Sequence, residues 1–447
     1  MTSSHNRSMN KEKTTENPRA AAMASLLAWE KEGRYANLEI NASLSNSKMS
    51  DADRGLYTAL VYGVIERAIT LDFTMAHLSA RPIEKIDESV RCAIRLGLYQ
   101  LAFMDRIPPH AAVSETVALM PKHTRGFINA ILRTFLREEC TIPLPKEENT
   151  AEYLSVLYST PTDLCRFFIN SYGFKKAGAI LEAFLRHTPV TVRVNTLKTT
   201  MDEALSYLKD ADPEISPLSD DMITVSSAAH IADGVKAGLF FVQDPASRLA
   251  IRALDPKPGE TVIDTCAAPG GKSFSAAIDM NNDGKLYSFD LHENKISLIR
   301  RTAGALGIKN LTAEAQNAKN PREELIGTAD RVLCDAPCSG LGVIGKKPDI
   351  KYKPISAIQS LPSVQYDVLK GASLYVRPGG VLVYSTCTLN PKENEEIVTR
   401  FLKENPDFAP APFSLGKIGD VPSGTRTFFP DADGCDGFFI AKMIRKN

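Results

Sequence analysis

The chain has 447 residues, and its 53 Lys plus Arg balance its 53 Asp plus Glu, so the formal net charge at pH 7 is zero. A composition of 43% hydrophobic and 24% charged residues is typical of a globular protein of two or three domains. The zero net charge excludes a globally basic nucleic-acid-binding chain, so any RNA contact must use local patches. There is no run of about eighteen apolar residues and no secretory signal, which predicts a cytoplasmic protein with no membrane partner.

The first 17 residues are polar, and we expect them to be disordered. From residue 18 to residue 140 apolar side chains recur at three- and four-residue spacing, which predicts an all-helical domain. Its predicted helices cover residues 20–29, 53–70, 86–104, 112–119 and 127–136. The single tryptophan, Trp29, is expected to pack inside this bundle. Pro143 and Pro145, among several charges, indicate a linker over residues 140–150.

Residues 150–254 form a mixed segment that predicts a small α+β subdomain. The predicted helices cover 161–172, 177–185 and 200–208, and alternating residues predict strands at 190–194 and 222–225. Residues 255–447 then show a βαβ rhythm, which predicts an α/β domain of the Rossmann-like class. Its strands are expected at 261–264, 285–289, near Leu311, and at 331–334, 381–384 and 437–443.

Two cysteines and an acid follow two of these predicted strands. Asp335 and Cys338 lie in Asp-Ala-Pro-Cys-Ser-Gly after strand 331–334, and Cys387 lies in Tyr-Ser-Thr-Cys-Thr after strand 381–384. In open parallel sheets the ligand crevice lies at the carboxyl ends of the strands. We therefore expect both thiols and the carboxylate to share one pocket. Such a set suits an enzyme that attacks an electron-poor ring with sulfur.

The remaining cysteines carry no comparable signal. All eight lack the paired spacing of a zinc site or a disulfide framework, so we expect reduced thiols and no metal. Small buried hydrophobes are predicted at five of them, namely Cys92, Cys140, Cys165, Cys266 and Cys334.

A turn rich in small residues follows strand 261–264 and precedes a helix. Such a turn lets the backbone approach a ligand closely, and Asp290, which ends the next strand, can accept ribose hydroxyl groups. The turn is not a nucleotide P-loop, because that motif needs glycine where Cys266 stands. S-adenosyl-L-methionine is the cofactor that this pattern favours. The turn residues predicted to hold it are Cys266, Ala267, Ala268, Pro269, Gly270, Gly271 and Lys272.

Nearly the whole chain resembles the Sun/RsmB family of bacterial ribosomal RNA cytosine-C5 methyltransferases. Residues 18–140 resemble its NusB-like helical RNA-binding domain, and residues 192–198 and 242–247 match stretches before its catalytic domain. Residues 267–272, 335–339 and 385–388 match motifs of the wider RNA cytosine-C5 methyltransferase group. The resemblance implies a Rossmann-like methyltransferase domain preceded by the all-α domain and a small α+β RNA-binding subdomain. It also implies 16S ribosomal RNA as substrate and partner, and we expect a monomer.

The resemblance also implies roles for the site residues. C5 of cytosine becomes nucleophilic once a thiolate has added to C6, and a base must later remove the C5 proton. By motif, Cys387 attacks C6, Cys338 aids product release and Asp335 contacts the cytosine and the cofactor. Lys272 would lie at the border between cofactor and base.

Two positions depart from the family pattern. Asn317 stands where an aspartate usually meets the adenine amine, and its carbonyl oxygen can still accept that hydrogen bond. Lysines replace the arginines that often follow the Pro-Cys loop, and they can meet phosphates without the bidentate fork. We expect RNA contacts from the helical domain, from the segment around Arg193 and from four lysines near the active-site mouth, namely Lys346, Lys347, Lys351 and Lys353.

Two alternatives stay open at this point. The thiols could have exchanged roles, with Cys338 attacking as in DNA cytosine-C5 methyltransferases. The chain could instead be a non-catalytic RNA-binding or antitermination factor, as the NusB-like part allows. Retention of both thiols, Asp335 and the glycine turn argues against this second alternative.

Overall fold

A computed structural model describes residues 16–45, 47–186, 189–226 and 230–447. The chain forms two compact units. The helical unit comprises residues up to Arg166 together with Lys347–Tyr352, and the mixed unit comprises Phe167–Lys346 and Lys353–Asn447. The segment predicted to be disordered lies outside the described residues, apart from Glu16 and Asn17.

The helical unit confirms the prediction of an all-helical domain. Asn17 starts the first helix by accepting the Arg19 and Ala20 N–H groups, and Gly33, at φ +62°, ends it. The Trp29 ring lies against the core, 5.3 Å from the Tyr352 ring, as expected of a packing residue. The helices are α1 (Pro18–Glu32), α2 (Ala36–Ser45), α3 (Asp51–Leu78), α4 (Glu88–Phe103), α5 (Pro109–Ala118), α6 (Lys122–Arg137) and α7 (Ala151–Leu157).

The short segment Lys347–Tyr352 packs within the helical unit. Lys351 is only 2% exposed, and its ammonium donates to the Glu66 carbonyl oxygen over 2.6 Å. The Tyr352 hydroxyl donates to the Ile65 carbonyl oxygen over 2.7 Å. Burial lowers the pKa of Lys351 to about 7. The prediction that Lys351 meets RNA phosphates is therefore wrong, because this side chain holds the segment in place, whereas Lys347 is exposed.

Two short helices, α8 (Thr162–Tyr172) and α9 (Phe174–Ala183), precede a small antiparallel sheet. The sheet has the order β2-β3-β1-β4, and strands β1 and β3 coincide with the predicted strands. Helix α10 begins with a capping box between Thr200 and Glu203. The elements are β1 (Val190–Val194), α10 (Met201–Tyr207), β2 (Glu214–Ile215), β3 (Met222–Val225), α11 (Ala232–Ala237) and β4 (Phe240–Val242).

The second sheet of the mixed unit carries the Rossmann-like fold. Its order is β10-β14-β9-β8-β5-β6-β7, with β13 beside β14. Pairs from β9 to β7 are parallel, and β14 is antiparallel to β9. The strands are β5 (Thr261–Asp264), β6 (Lys285–Asp290), β7 (Leu311–Ala315), β8 (Ala329–Asp335), β9 (Val376–Thr386), β10 (Phe408–Pro410), β13 (Thr425–Phe428) and β14 (Phe438–Arg445), while β11 (Phe413–Ser414) and β12 (Asp420–Val421) form a separate pair.

Helices cover both faces of this sheet, as its near-continuous apolar strands require. Neighbouring strand residues point to opposite faces, so Val262 joins one buried cluster and Ile263 the other. Helices α12 (Pro245–Leu254), α13 (Gly271–Asp279) and α14 (Glu293–Leu306) contribute to the first cluster. Helices α15 (Leu361–Ser373) and α16 (Glu395–Glu404) contribute to the second. None of the described helices is long and apolar enough to cross a membrane.

A buried ion cluster joins the small sheet to the helices of the mixed unit. Arg193 on β1 and Arg248 on α12 both contact Asp221 and Asp279. Their side chains are 3% and 5% exposed. The Arg193 side chain therefore stabilises the fold rather than contacting RNA, and RNA contact by the segment around it stays a prediction.

We expect Asp221→Asn to lower the free energy of unfolding by about 3–5 kcal/mol at neutral pH, because it leaves two buried guanidinium groups with less counter-charge. Burial raises the pKa of Asp221, but Arg248 and Arg193 outweigh this effect and lower the pKa overall. The stabilisation is thus present above the ordinary carboxyl pKa of 3.8 and is lost as the pH falls below it.

Urea unfolding of parent and variant measures this difference. The control is Asp220→Asn, whose exposed carboxylate pairs with Lys417 and should contribute less than about 1 kcal/mol. Equal, small effects of the two substitutions would contradict a stabilising role for the cluster.

Candidate active site

The ends of β8 and β9 bring the two predicted thiols together. These strands are parallel, with Asp335 opposite Ser385. Cys338 and Cys387 follow them, and their Sγ atoms lie 3.3 Å apart. The Gly342 N–H donates to the Cys387 carbonyl oxygen over 3.0 Å, which ties the two loops together beside the thiols. The expected convergence of the thiols is therefore present.

Asp335 links the ends of β8 and β9 to the turn that follows β5. Its Oδ1 accepts from the Ser385 hydroxyl over 2.7 Å, and its Oδ2 accepts from the Lys272 ammonium over 2.7 Å. Burial lowers the pKa of Lys272, but the charge and hydrogen bond of Asp335, with a further contribution from Cys387, outweigh it and raise the pKa. Lys272 is therefore positively charged, and its charge acts on both Asp335 and Cys387.

The pKa of the Cys338 thiol is raised well above its ordinary value. The causes are its hydrogen bond to Cys387, then burial, then the negative charges of Cys387 and Glu393. The raised pKa disfavours the thiolate form of Cys338, and across the 3.3 Å contact either thiol can donate to the other. The opposite environments of the two thiols indicate different chemical roles.

The other cysteines behave mostly as predicted. Cys92, Cys165 and Cys334 are buried, and burial raises the pKa of Cys92 and Cys165 to about 12. Cys140 and Cys266 are half-buried rather than buried. Burial raises the pKa of Cys266 well above its ordinary value, so this thiol is a poor nucleophile.

The turn after β5 needs its glycine for a steric reason. Gly270 has φ +112°, and a Cβ there would lie 2.3 Å from the Phe274 ring. Beneath the turn, Asp264 accepts from the Ser273 hydroxyl over 2.6 Å. Burial raises the pKa of Asp264 to about 7 even though the Ser273 hydrogen bond opposes that shift. Gly270 therefore allows the backbone conformation of the turn, and Asp264 supports the turn from its buried side.

Asp290 ends β6 as predicted and faces the same turn. Its two oxygens accept the Ala268 and His292 N–H groups over 3.2 and 3.1 Å. Lys295 lies 3.6 Å away. Each carboxylate oxygen keeps a lone pair for a further donor, so Asp290 can also bind hydroxyl groups.

A cavity of about 370 Å³ opens between these elements. Five of the predicted cofactor residues line it, namely Cys266, Ala268, Asp290, Asn317 and Asp335. Cys338 and Cys387 also line it. The Asn317 carbonyl oxygen accepts the Lys319 N–H over 3.1 Å, which leaves one of its lone pairs for a ligand.

A second cavity of about 170 Å³ adjoins the first and shares Cys266, Ala268 and Asp335 with it. The predicted turn residues Ala267, Pro269, Gly271 and Lys272 line this smaller cavity, and Gly270 lines neither one. Gln243 and Asp244 complete its wall. The turn therefore separates two chambers, and Asp335 faces both.

Sequence reasoning missed several residues of the site. Val364 and Val368 on α15 line the larger cavity, and no motif marks them. Leu291 could have been predicted from the sequence. It is an apolar residue directly after the acid that ends β6, where it has no place in the core, and it is 62% exposed. Glu393 lies behind the thiol loops and is fully buried. Among the described residues, no group of three or more His, Cys, Asp or Glu side chains is placed to hold a metal ion.

Family models match three successive parts of the chain. The NusB family matches residues 16–137, and the ferredoxin-like domain of RsmF/B-like methyltransferases matches residues 161–232. The 16S rRNA methyltransferase RsmB/F model matches residues 251–444. These matches agree with the helical unit, the small sheet and the Rossmann-like sheet.

Whole-length comparisons point the same way. The probable ribosomal RNA small subunit methyltransferase B of Bacillus subtilis is 36% identical over 453 residues, covering 96% of this chain and 98% of that protein. The crystal structure of PH0851 matches with a TM-score of 0.78 at 25% identity, covering 97% of this chain and 100% of that chain. NSun6 from Pyrococcus horikoshii shares the fold over 65% of this chain and 100% of its own, with a TM-score of 0.57 at 22% identity. The chain therefore belongs to the RsmB/F family of small-subunit ribosomal RNA methyltransferases.

Proposed function

We propose that this chain methylates C5 of a cytosine in 16S ribosomal RNA, with S-adenosyl-L-methionine as methyl donor and Cys387 as covalent nucleophile. The observation that carries the proposal is the pair of thiols 3.3 Å apart beside the Lys272–Asp335 ion pair. An enzyme that attacked RNA without a covalent step would not need two thiols at neighbouring strand ends.

The larger cavity suits S-adenosyl-L-methionine. Asp290 would accept the ribose hydroxyls, Leu291 and the Val364–Val368 face of α15 offer apolar contact, and Asn317 offers a carbonyl oxygen to the adenine amine. The bound cofactor supplies an electrophilic methyl group. Cys387 lines the same cavity, which would bring that methyl group near the nucleophile.

The target cytosine would lie where the smaller cavity meets the larger one at Asp335, because Cys387, which must reach C6, lines only the larger cavity. Asp335 retains a lone pair on each oxygen beyond the Ser385 and Lys272 hydrogen bonds, so it can accept from the exocyclic amine of the base. Lys272 places a positive charge beside Cys387, which favours the thiolate that must attack C6.

The two thiols then perform successive steps. The Cys387 thiolate bonds to C6, and the ring electrons make C5 nucleophilic so that it takes the methyl group. Solvent water removes the C5 proton, the C5–C6 double bond re-forms and the Cys387 sulfur leaves with the electrons of its bond. Cys338, protonated and 3.3 Å away, donates its hydrogen to the departing sulfur.

We expect Cys387→Ala to be inactive and free of covalent RNA, because no other described thiol stands beside Lys272 in the same way. Cys338→Ala should still methylate the ring once but release it slowly, so that a denaturation-resistant protein–RNA complex accumulates when S-adenosyl-L-methionine is present. Denaturing gels with labelled RNA measure the adduct. The opposite pattern would assign the attack to Cys338, and adducts from neither variant would remove the release role.

We expect Asp290→Ala to weaken S-adenosyl-L-methionine binding at least about tenfold, because it loses one or two charge-assisted hydrogen bonds of about 1.5–3 kcal/mol each. Asp290→Asn keeps the size of the side chain and one of its two acceptor oxygens, so it removes the charge with less disturbance of the turn than alanine. Asp283→Ala, an exposed acid before the start of β6, is the control. Calorimetry that shows unchanged affinity in folded Asp290 variants would remove this residue from the site.

In the helical unit, the positive charge of α6 suits contact with the phosphates of ribosomal RNA. This helix exposes Lys122, Arg133 and Arg137, contains no acid, and none of the three forms an ion pair with any residue that the structure describes. A cavity of about 600 Å³ lies between α5 and α6 and is lined by His110, Ser114, Val117, Arg125, Asn129 and Arg133, among others. By contrast, Lys346 of the mixed unit is paired with Asp244 and Asp436.

Removing two charges with Lys122→Ala and Arg133→Ala should flatten the salt dependence of RNA binding by about one unit per lost phosphate contact. The matched control replaces Arg34 and Arg166 with alanine, since both are exposed in the helical unit but already pair with glutamates. Filter binding over a range of salt concentrations gives the slopes. If both pairs change the slope equally, α6 is not the phosphate-contacting face.

A further inference from the structure

The carboxylate of Glu393 is fully buried behind the two thiol loops. Its side chain is 0% exposed, and it forms no ion pair with any lysine or arginine among the described residues. Burying an unpaired charge is unfavourable, so a carboxylate in this position needs strong hydrogen bonds and calls for an explanation.

Three donors compensate for the burial. Oε2 accepts the Ser339 N–H and the Gln365 Nε2–H, each over 2.8 Å, and Oε1 accepts the Asn390 Nδ2–H over 2.9 Å. All three partners are N–H groups, which matches the ionised, acceptor-only form of the carboxyl group. Glu393 therefore places a negative charge at the junction of three segments.

These segments are the ones that carry the chemistry. Ser339 directly follows Cys338, and Asn390 lies three residues after Cys387. Gln365 on α15 also donates to the Pro337 carbonyl oxygen over 2.9 Å. One further bond connects the loops, from Ser339 Oγ to Thr388 Oγ1 at 2.7 Å, and the Asn390 N–H donates to the same Thr388 hydroxyl over 3.2 Å within the Thr-Cys loop.

The orientation of Gln365 shows how strongly the arrangement is determined. Its Oε1 is buried without a hydrogen-bond partner among the described residues. Flipping the amide would set that oxygen against the Pro337 carbonyl and the Glu393 carboxylate, which would replace two hydrogen bonds by two repulsions. The fold thus tolerates one unsatisfied acceptor in order to give both N–H groups to the loop and to Glu393.

We propose that Glu393 is a positioning residue for Cys338: its buried carboxylate fixes the Pro-Cys loop against the Thr-Cys loop, and its charge keeps Cys338 in the protonated form that serves product release. The inference rests on the proposed function for the release step, but the geometry and the charge are independent of it. The negative charge of Glu393 contributes to the raised pKa of Cys338, after the Cys387 hydrogen bond, burial and the charge of Cys387.

The arrangement makes the two thiols electrostatically unequal. Lys272 sets a positive charge near Cys387, and Glu393 sets a negative charge near Cys338. With sulfur atoms 3.3 Å apart, one proton is shared most favourably on Cys338. Glu393 therefore contributes to making Cys387 the thiol that is free to attack.

The first test reads the thiol directly and uses no RNA. In a Cys387→Ser background, the rate at which iodoacetamide alkylates Cys338 is followed by peptide mass spectrometry from about pH 6 to about pH 10. Adding Glu393→Gln should move the midpoint of this profile to lower pH by about one unit, so that alkylation below the midpoint is about tenfold faster.

The shape of the profile separates charge from loosening. A variant that only loosens the loop raises the plateau rate at high pH and leaves the midpoint in place, and that outcome would overturn the charge role. Glu393→Asp keeps the charge and should keep the parent midpoint. Glu396→Gln, an exposed carboxylate in the first turn of α16 and three residues after Glu393, is the matched control and should change neither midpoint nor plateau.

The second test asks for the catalytic consequence in the full-length chain. With Cys387 intact, Glu393→Gln should accumulate the S-adenosyl-L-methionine-dependent RNA adduct, as Cys338→Ala does, and Glu393→Asp should accumulate much less. If no variant forms an adduct while the alkylation midpoint still moves, the proposed function fails and the charge role stands. If Cys338→Ala forms the adduct but Glu393→Gln moves neither midpoint nor adduct, the inference about Glu393 is wrong.

Discussion

The parallel pairing of β8 with β9 is the constraint on which the site depends. It sets Asp335 opposite Ser385, and the bond between their side chains spans 2.7 Å. Side chains alternate along a strand, so a slip of one residue would turn Asp335 to the other face of the sheet. That slip would separate it from Lys272 and would change the distance between the loops that carry Cys338 and Cys387. The register of two buried strands therefore sets the chemistry.

Charged side chains lie on both sides of the thiol pair that this register positions. Lys272 neutralises Asp335 and acts on Cys387, while Glu393 acts on Cys338 from behind. Lys272 and Asp335 are only 15% and 25% exposed, so their charges act more strongly than they would in solvent. Two chemically identical thiols thus lie in different electrostatic environments because of the side chains beside each of them. The backbone alone does not distinguish them, since both lie just past the end of a parallel strand.

The sequence predicted those parts of the molecule that local pattern determines. Strands β1, β3 and β5 were placed at their observed limits because they are short, apolar and bounded by turn residues. The beginning of β9 was missed, because Pro378 and Gly379 interrupt the apolar pattern while the ladder continues through an irregularity between Ala329 and Arg331 on β8.

The roles of charged residues were harder to predict from the sequence. Lys351 and the segment around Arg193 were expected to face RNA, yet the partners of the Arg193 and Lys351 side chains lie far along the chain, at Asp279 and at the Glu66 carbonyl oxygen. A local pattern cannot reveal such distant partners, so a buried cation looks like an exposed one. Glu393 escaped notice for the same reason, since its meaning comes from Ser339 and Gln365, which the fold brings to it.

The two cavities would place the two substrates beside the same fixed side chains. They share Cys266, Ala268 and Asp335, so ligands in the two chambers would meet at the Asp335 carboxylate, while the thiol pair lines only the larger chamber. A transfer between two bound molecules gains most of its rate from such alignment, because the loss of translational and rotational freedom has already been met by binding. Asp335 faces both chambers and is itself held by Lys272 and Ser385. Its fixed position thus aligns the two ligands with respect to one another as well as with respect to the protein.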